Sequence, residues 1–139
     1  SHNSWMHNVP RFVSGRRGTR RLHVHPDDAA ARGLAEGKPC RLRSAVGELV
    51  AVVHVSDAMM PGCVSLPHGW GHAGATGLSV ARQTGGESFN LLTRDGPDTL
   101  EPLSGMARLT SIDVECEPVT GEAARPRNDS AHAEGGATG

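Results

Sequence analysis

Side chains able to grip a planar, charged ligand gather in three short runs. The first is His2-Asn3-Ser4-Trp5-Met6-His7-Asn8. An Asn amide carries donors and an acceptor in one plane, and Ser and His add short-range groups, so this run suits a heterocycle edge or a phosphate. A solvated polar terminus is the alternative. The second run is Leu66-Pro67-His68-Gly69-Trp70-Gly71-His72. Glycine on both sides of Trp70 lets the backbone approach a ligand closely. His68 and His72 have the four-residue spacing of a helical zinc site. Pro67, Gly69 and Gly71 oppose a helix there, and no Cys, Asp or Glu in the run completes a zinc shell, which leaves a ligand-facing loop, with a merely structural loop as the alternative. The third run is Gln83-Thr84-Gly85-Gly86-Glu87-Ser88-Phe89-Asn90-Leu91-Leu92-Thr93. It has neither the Gly-Lys-Ser/Thr of a phosphate loop nor a GxGxxG. Asn90 is flanked by apolar residues, and a buried Asn there would need its amide satisfied by backbone or by ligand. Nucleophilic catalysis finds little support: Ser65 and Ser104 lack a Gly-x-Ser-x-Gly elbow, and Asp57, Asp95 and Asp98 read as turn formers.

The composition limits what these runs can serve. Gly 18 and Pro 9 make up about a fifth of the 139 residues, against roughly 12% in average proteins. Many turns and short strands are implied. The four aromatic residues, Trp5, Phe12, Trp70 and Phe89, are too few for an RNA-stacking platform. A net charge of −1 argues against nucleic acid as a partner, and no apolar run approaches the ~20 residues of a membrane span. Residues 1–44 hold nine basic and three acidic side chains, whereas residues 45–119 hold three basic and nine acidic ones. Either the two halves attract each other, or the basic half faces an anionic ligand. Cys40, Cys63 and Cys116 are an odd, widely spaced set that suits a reducing compartment, and the cytoplasm is the expected location. Without an initiating Met, the chain reads as part of something longer.

The elements that must position these runs are predominantly strands. Alternation over residues 21–25 predicts a strand. Pro26-Asp27-Asp28-Ala29-Ala30-Ala31-Arg32-Gly33 predicts a short helix, with proline in its first turn, acids at its N-terminus and Gly33 as a left-handed cap. Residues 39–55, turning at Ala45-Val46-Gly47, predict a hairpin. Cys63-Val64-Ser65-Leu66 predicts a short strand, and residues 67–105 are irregular, with eight glycines. Residues 106–119 end the fold as a half-exposed strand, with Ile112, Val114 and Cys116 inward. Such an arrangement suggests a small β-barrel, since closure removes edge strands.

Taken in order, the motifs resemble the C-terminal dinucleotide-binding domain of the molybdopterin oxidoreductase family, which includes dimethyl sulfoxide reductase. The resemblance starts in Asn3-Ser4-Trp5-Met6-His7-Asn8 and continues through Val24-His25-Pro26-x-Asp28-Ala29 and Gly33-Leu34-x-x-Gly37. It goes on through Pro61-Gly62-x-Val64, Pro67-His68-Gly69-Trp70-Gly71-His72 and Asn90-x-Leu92-Thr93, and closes with Pro102-Leu103-Ser104-Gly105-x-Ala107-x-Leu109. The opening run and the His-Gly-Trp-Gly-His block look most like the formate dehydrogenase and nitrate reductase branch.

The resemblance implies a mainly β domain with short helices, folded as a double-psi β-barrel of the aspartate decarboxylase-like, formate dehydrogenase C-terminal type. It implies binding of bis-molybdopterin guanine dinucleotide, shared with the remaining domains of a larger subunit. Molybdenum and [4Fe–4S] ligands would lie in those domains, so the chain alone would hold cofactor without catalysing redox chemistry. The cofactor-binding residues it implies are Asn3, Ser4, Trp5, His7, His68, Gly69, Trp70, His72 and Asn90, with Gln83 added from polarity and position. A cofactor-free β-barrel interaction module is the alternative, and a zinc hydrolase on His68 and His72 is a more distant one. The domain is expected to span residues 1–119. Residues 120–139 contain no Val, Ile, Leu, Met, Phe or Trp, too little apolar surface to offset ordering entropy, and are expected to form a disordered tail. Deleting them should change the unfolding free energy by well under ~1 kcal/mol in denaturant titrations. A larger loss would mean that the tail packs on the domain.

Overall fold

The computed structural model describes residues 4–13, 20–107 and 110–119. Residues 120–139, the expected tail, and Asn3 lie outside them, as do the side chains of Ser4 and Trp5. One five-stranded mixed sheet organises the chain. Its strands are β1 (Leu22–Val24), β2 (Pro39–Arg43), β3 (Glu48–Val55), β4 (Val64–Ser65) and β5 (Glu115–Pro118). They lie in the order β4-β1-β3-β2-β5. After β1 the chain crosses through a helix to β2, then turns back so that β3 fits between β1 and β2. β3 is parallel to β1, with Leu22 opposite Val53, and antiparallel to β2, with Leu42 opposite Leu49. β4 and β5 occupy the two edges, so among the described residues the strands form an open sheet and not a closed ring.

Strict alternation decides which face is core. Leu22, Val24, Cys40, Leu42, Leu49, Ala51, Val53 and Cys116 all point to one side and are buried there with Ala29, Leu34 and Leu92. The other face carries His23, Arg41, Val50, Val52 and His54, each half-buried. Cys40 and Cys116 interact on the core face, where Cys116 and burial push the Cys40 thiol up, while Cys63 is exposed.

A short helix, α1 (Pro10–Val13), follows the N-terminal turn, and α2 (Pro26–Ala31) covers the sheet between β1 and β2. Its ends follow the expected chemistry. Pro26 stands at the first helical position, and the ring of His25 accepts the Asp27 N–H. At the other end Gly33 has φ +67°. The Leu34 N–H donates to Ala29 O at 2.8 Å and the Gly33 N–H to Ala30 O at 3.3 Å, the paired bonds of a Schellman cap. The cap turns Leu34 back into the core beside Ala29.

Two carboxylates then fasten the crossover to the sheet. Asp28 Oδ2 accepts the Gly62 N–H at 2.7 Å. Glu36 accepts the Val55 N–H at 2.6 Å, Arg21 Nη1–H at 2.9 Å and His54 Nδ1–H at 3.3 Å. It thereby joins the start of β1 to the end of β3.

The last strand is shorter than the alternation suggests. Only residues 115–118 pair with β2, and of the expected inward set only Cys116 is buried, Ile112 and Val114 being half-exposed. Ser111 has φ +58°, a left-handed conformation that ends an extended run whatever the hydrophobic pattern. Strand β4 is likewise confined to Val64–Ser65, cut off by Pro67, which has no N–H to offer a ladder.

The Glu36 carboxyl is held below its ordinary value by the Val55 N–H first, and then by His54 and Arg21. A depressed folded-state value stabilises the fold above the unfolded carboxyl pKa, and that contribution is lost as pH falls through the folded value. In denaturant titrations the wild-type chain should therefore exceed Glu36→Gln in stability at neutral pH and lose that advantage progressively as pH falls below the ordinary glutamate pKa of about 4.3. A pH-independent difference would show that the charge is irrelevant.

Candidate functional site

Residues 67–93 have little regular structure: only the 3-10 turns Ala81–Gln83 and Phe89–Leu92 interrupt the loop. Buried backbone polar groups in such a segment must find partners outside secondary structure. The N-terminal arm supplies them from the 3-10 turn Ser4–Asn8. His7 is 1% exposed, and its Nδ1–H donates to Gly69 O at 2.7 Å. His72 Nε2–H donates to the same oxygen, so both lone pairs of the Gly69 carbonyl are used. The His7 ring stacks on Trp70 with centroids 3.9 Å apart and planes 21° from parallel. Arg20 Cζ lies 5.6 Å from the centre of the Trp70 ring, within cation–π range. One residue further along the arm, Asn8 Oδ1 accepts the Val80 N–H at 2.9 Å and the Ala81 N–H at 3.2 Å. These bonds hold the start of the Ala81–Gln83 turn, with Ala81 buried behind it.

Glycine permits this packing at two places where backbone meets backbone or ring. Gly71 has φ +84°, and a Cβ there would overlap the Ser88 backbone. Gly86 has φ +88°, and a Cβ there would sit 2.9 Å from Trp70 Cβ. The Gly-Trp-Gly-His block is thus closed against residues 86–88 on one side and the arm on the other.

A second region lies at the tip of the β2–β3 hairpin. Ser44 Oγ accepts the Val46 and Gly47 N–H groups at 3.2 and 3.3 Å, which sets the turn. Gly47 lies against the Leu91 carbonyl, where a Cβ would overlap it. Leu92 enters the core, while Val46, Asn90, Leu91, Thr93, Arg94 and Asp95 line an open cavity of about 470 Å³. Asn90 is exposed, although its sequence neighbours are apolar. The 3-10 turn sends Leu92 inward and leaves the Asn90 side chain on the outer surface.

The candidate residues therefore separate into groups. His7, Gly69, Trp70 and His72 meet in one cluster, His7 and Trp70 buried and Gly69 and His72 half-buried, with imidazole N–H groups committed to a carbonyl. His68 and Gln83 are exposed beside it. Asn90 stands in the hairpin cavity, whose lining includes none of the other candidates. Asn3 and the side chains of Ser4 and Trp5 are outside the described residues. Asn8, Arg20, Thr93 and Arg94 were not singled out by sequence. Asn8 lies within the first polar run, but its partners are 72 and 73 residues away, and no local spacing announces them.

Comparison with known proteins places the chain in a family. Residues 1–112 match the molydopterin dinucleotide binding domain, and the chain belongs to that family. Biotin sulfoxide reductase of Cereibacter sphaeroides is 41% identical over 54 residues, which are 39% of this chain and 7% of that protein. Dimethyl sulfoxide/trimethylamine N-oxide reductase of Rhodobacter capsulatus is 44% identical over 46 residues, 33% of this chain and 6% of the relative. Trimethylamine-N-oxide reductase of Haemophilus influenzae is 36% identical over 73 residues, 52% of this chain and 9% of the relative. The chain thus spans less than a tenth of these relatives. Acetylene hydratase from Pelobacter acetylenicus shares the fold, with a TM-score of 0.54 and 20% identity, covering 70% of this chain and 14% of that one. No helix among the described residues is long and apolar enough to cross a membrane.

The close approach at Gly71 gives a direct test. Gly71→Ala adds both overlap with the Ser88 backbone and left-handed strain, and should cost at least ~2 kcal/mol in denaturant titrations. Gly74→Ala, where a Cβ meets nothing within 4 Å, should stay within about 0.5 kcal/mol of wild type. Equal effects would refute the packing described.

Proposed function

We propose that this chain is the dinucleotide-binding part of a larger molybdenum oxidoreductase, and that its loops form one wall of the site for molybdopterin guanine dinucleotide. Family membership over residues 1–112 carries this reading. The donor set fits such a group. Asn90 offers an exposed amide for a heterocycle edge, and Thr93 and Arg94 stand beside it with a hydroxyl and a cation suited to phosphate. His68 and Gln83 add polar groups on the exposed side of the Gly-Trp-Gly block. His7, Trp70 and His72 act beneath that surface, holding the Gly69 carbonyl and the loop that carries it. Asn3, Ser4 and Trp5 complete the binding edge in this reading. The molybdenum carried by the bound cofactor supplies the redox chemistry; this chain binds, orients and shields.

The sulfoxide and N-oxide reductases among the relatives point the reading toward that kind of oxidoreductase. The narrower formate dehydrogenase or nitrate reductase placement has no support in their names. Closure of the sheet into a double-psi barrel, the guanine form of the dinucleotide, and burial of the cofactor between this domain and the rest of the subunit belong to the same proposal. An interaction surface accompanies it. Leu103 and Met106 are 96% and 68% exposed on a turn held by Glu101, whose carboxylate accepts the Leu103 and Ser104 N–H groups and the Ser104 hydroxyl. A rigid turn displaying apolar side chains suits contact with neighbouring domains of the parent subunit.

A lone wall of a site gives few bonds in poor shielding, and association itself costs ~4–15 kcal/mol. Titration with GDP, followed by amide chemical shifts, should give a dissociation constant no tighter than roughly millimolar. Shifts should cluster at residues 68–72 and 88–94, and Asn90→Ala should weaken them with the fold intact. Shifts confined to the basic residues near the N-terminus and abolished by salt would mean nonspecific phosphate attraction and contradict the proposal.

A further inference from the structure

We infer that His23 and His54, on the outer face of the sheet, form a two-imidazole site for a divalent transition-metal ion, with Glu36 as its positioning residue. The two histidines are direct register partners on the parallel strands β1 and β3, so their side chains leave the same face side by side. Their rings are 4.9 Å apart, centroid to centroid, and 89° from parallel. Two imidazoles bound to one metal at ~2.0–2.1 Å, with an angle of about 90–110° between the bonds, place their ring centres roughly 4.5–5.2 Å apart. The observed spacing lies within that range. The χ2 torsion of an imidazole is broad, so the His23 ring can turn toward His54 while His54 keeps its contact with Glu36.

The tautomer of His54 is set by its neighbour. An ionised carboxylate only accepts, so the 3.3 Å contact to Glu36 Oε1 requires the proton on His54 Nδ1. Nε2 then presents its lone pair. Glu36 is itself immobilised by the Val55 N–H and by Arg21. Carboxylate, imidazole and metal in that order is the arrangement by which metal-binding histidines are usually oriented. Imidazole suits Ni²⁺, Cu²⁺ and Zn²⁺. No third His, Cys, Asp or Glu joins to make a larger cluster among the described residues, so water fills the other coordination positions. His54 is 41% exposed in its side chain, and the site is open to solvent. The dinucleotide proposal does not involve these residues, and neither inference depends on the other.

The test is titration of the full chain with Ni²⁺ alone, followed by paramagnetic broadening of amide signals. Broadening centred on residues 22–24 and 53–55 at micromolar to low-millimolar metal is the expected result. His23→Gln and His54→Gln should each weaken binding at least about tenfold, and Glu36→Gln about 10–100-fold, the usual effect of losing an orienting partner. Long-range ¹⁵N correlation spectra of wild type should show His54 protonated at Nδ1, with that preference reduced in Glu36→Gln. Broadening that centres only on residues 68–72 or on the N-terminus overturns the site. So does equal affinity in the histidine variants, each checked for retained amide dispersion, or the absence of binding. An unchanged affinity and tautomer in Glu36→Gln overturns its positioning role.

Discussion

A segment of more than twenty residues without regular secondary structure can hold one shape only if its buried peptide groups are satisfied from elsewhere. Here the satisfaction comes from two adjacent side chains of the N-terminal arm. His7 donates to the Gly69 carbonyl and stacks on Trp70, and Asn8 accepts two N–H groups at the start of the next turn. Each buried polar group left unpaired would cost about 1–3 kcal/mol, comparable with a sizeable share of a small domain's net stability of roughly 5–15 kcal/mol. His7 and Asn8 therefore brace the fold, and the loops around the Gly-Trp-Gly block depend on them for their position.

The sheet solves a different problem. Its core face is a plain alternation of Leu, Val, Ala and Cys, fastened by a capped helix and by carboxylates that bridge crossover and strand. The hairpin tip extends from that rigid base to meet the Leu91 backbone, and the cavity around Asn90 opens there. A firm sheet thus carries one candidate binding region through the hairpin, while the arm braces the other. Loops placed by a rigid scaffold are where binding groups usually stand.

Much of the sheet was legible in the sequence because its rules are local. Pro26 and Gly33 bracket α2, and the alternation around Ala45-Val46-Gly47 marks the hairpin. Legibility failed where distant contacts or single dihedrals decide. The positive φ of Ser111 breaks a strand that hydrophobic alternation alone would continue. Whether Asn90 is buried could not be read from its apolar neighbours, because a 3-10 turn separates the faces of adjacent residues. The polar runs were visible as runs, but which members face a ligand and which hold the loop depends on partners up to 73 residues away. His7 and His72 illustrate this: the same residue types that could grip a ligand here grip a carbonyl.

The most direct measurement is amide hydrogen exchange at Val80 and Ala81 in the wild type and in Asn8→Ala. If the arm positions the loops, these two amides are protected in the wild type and lose most of that protection in the variant, while the amides of β1, β2 and β3 keep theirs. Unchanged exchange at Val80 and Ala81, or a uniform loss over loop and sheet alike, would contradict the account.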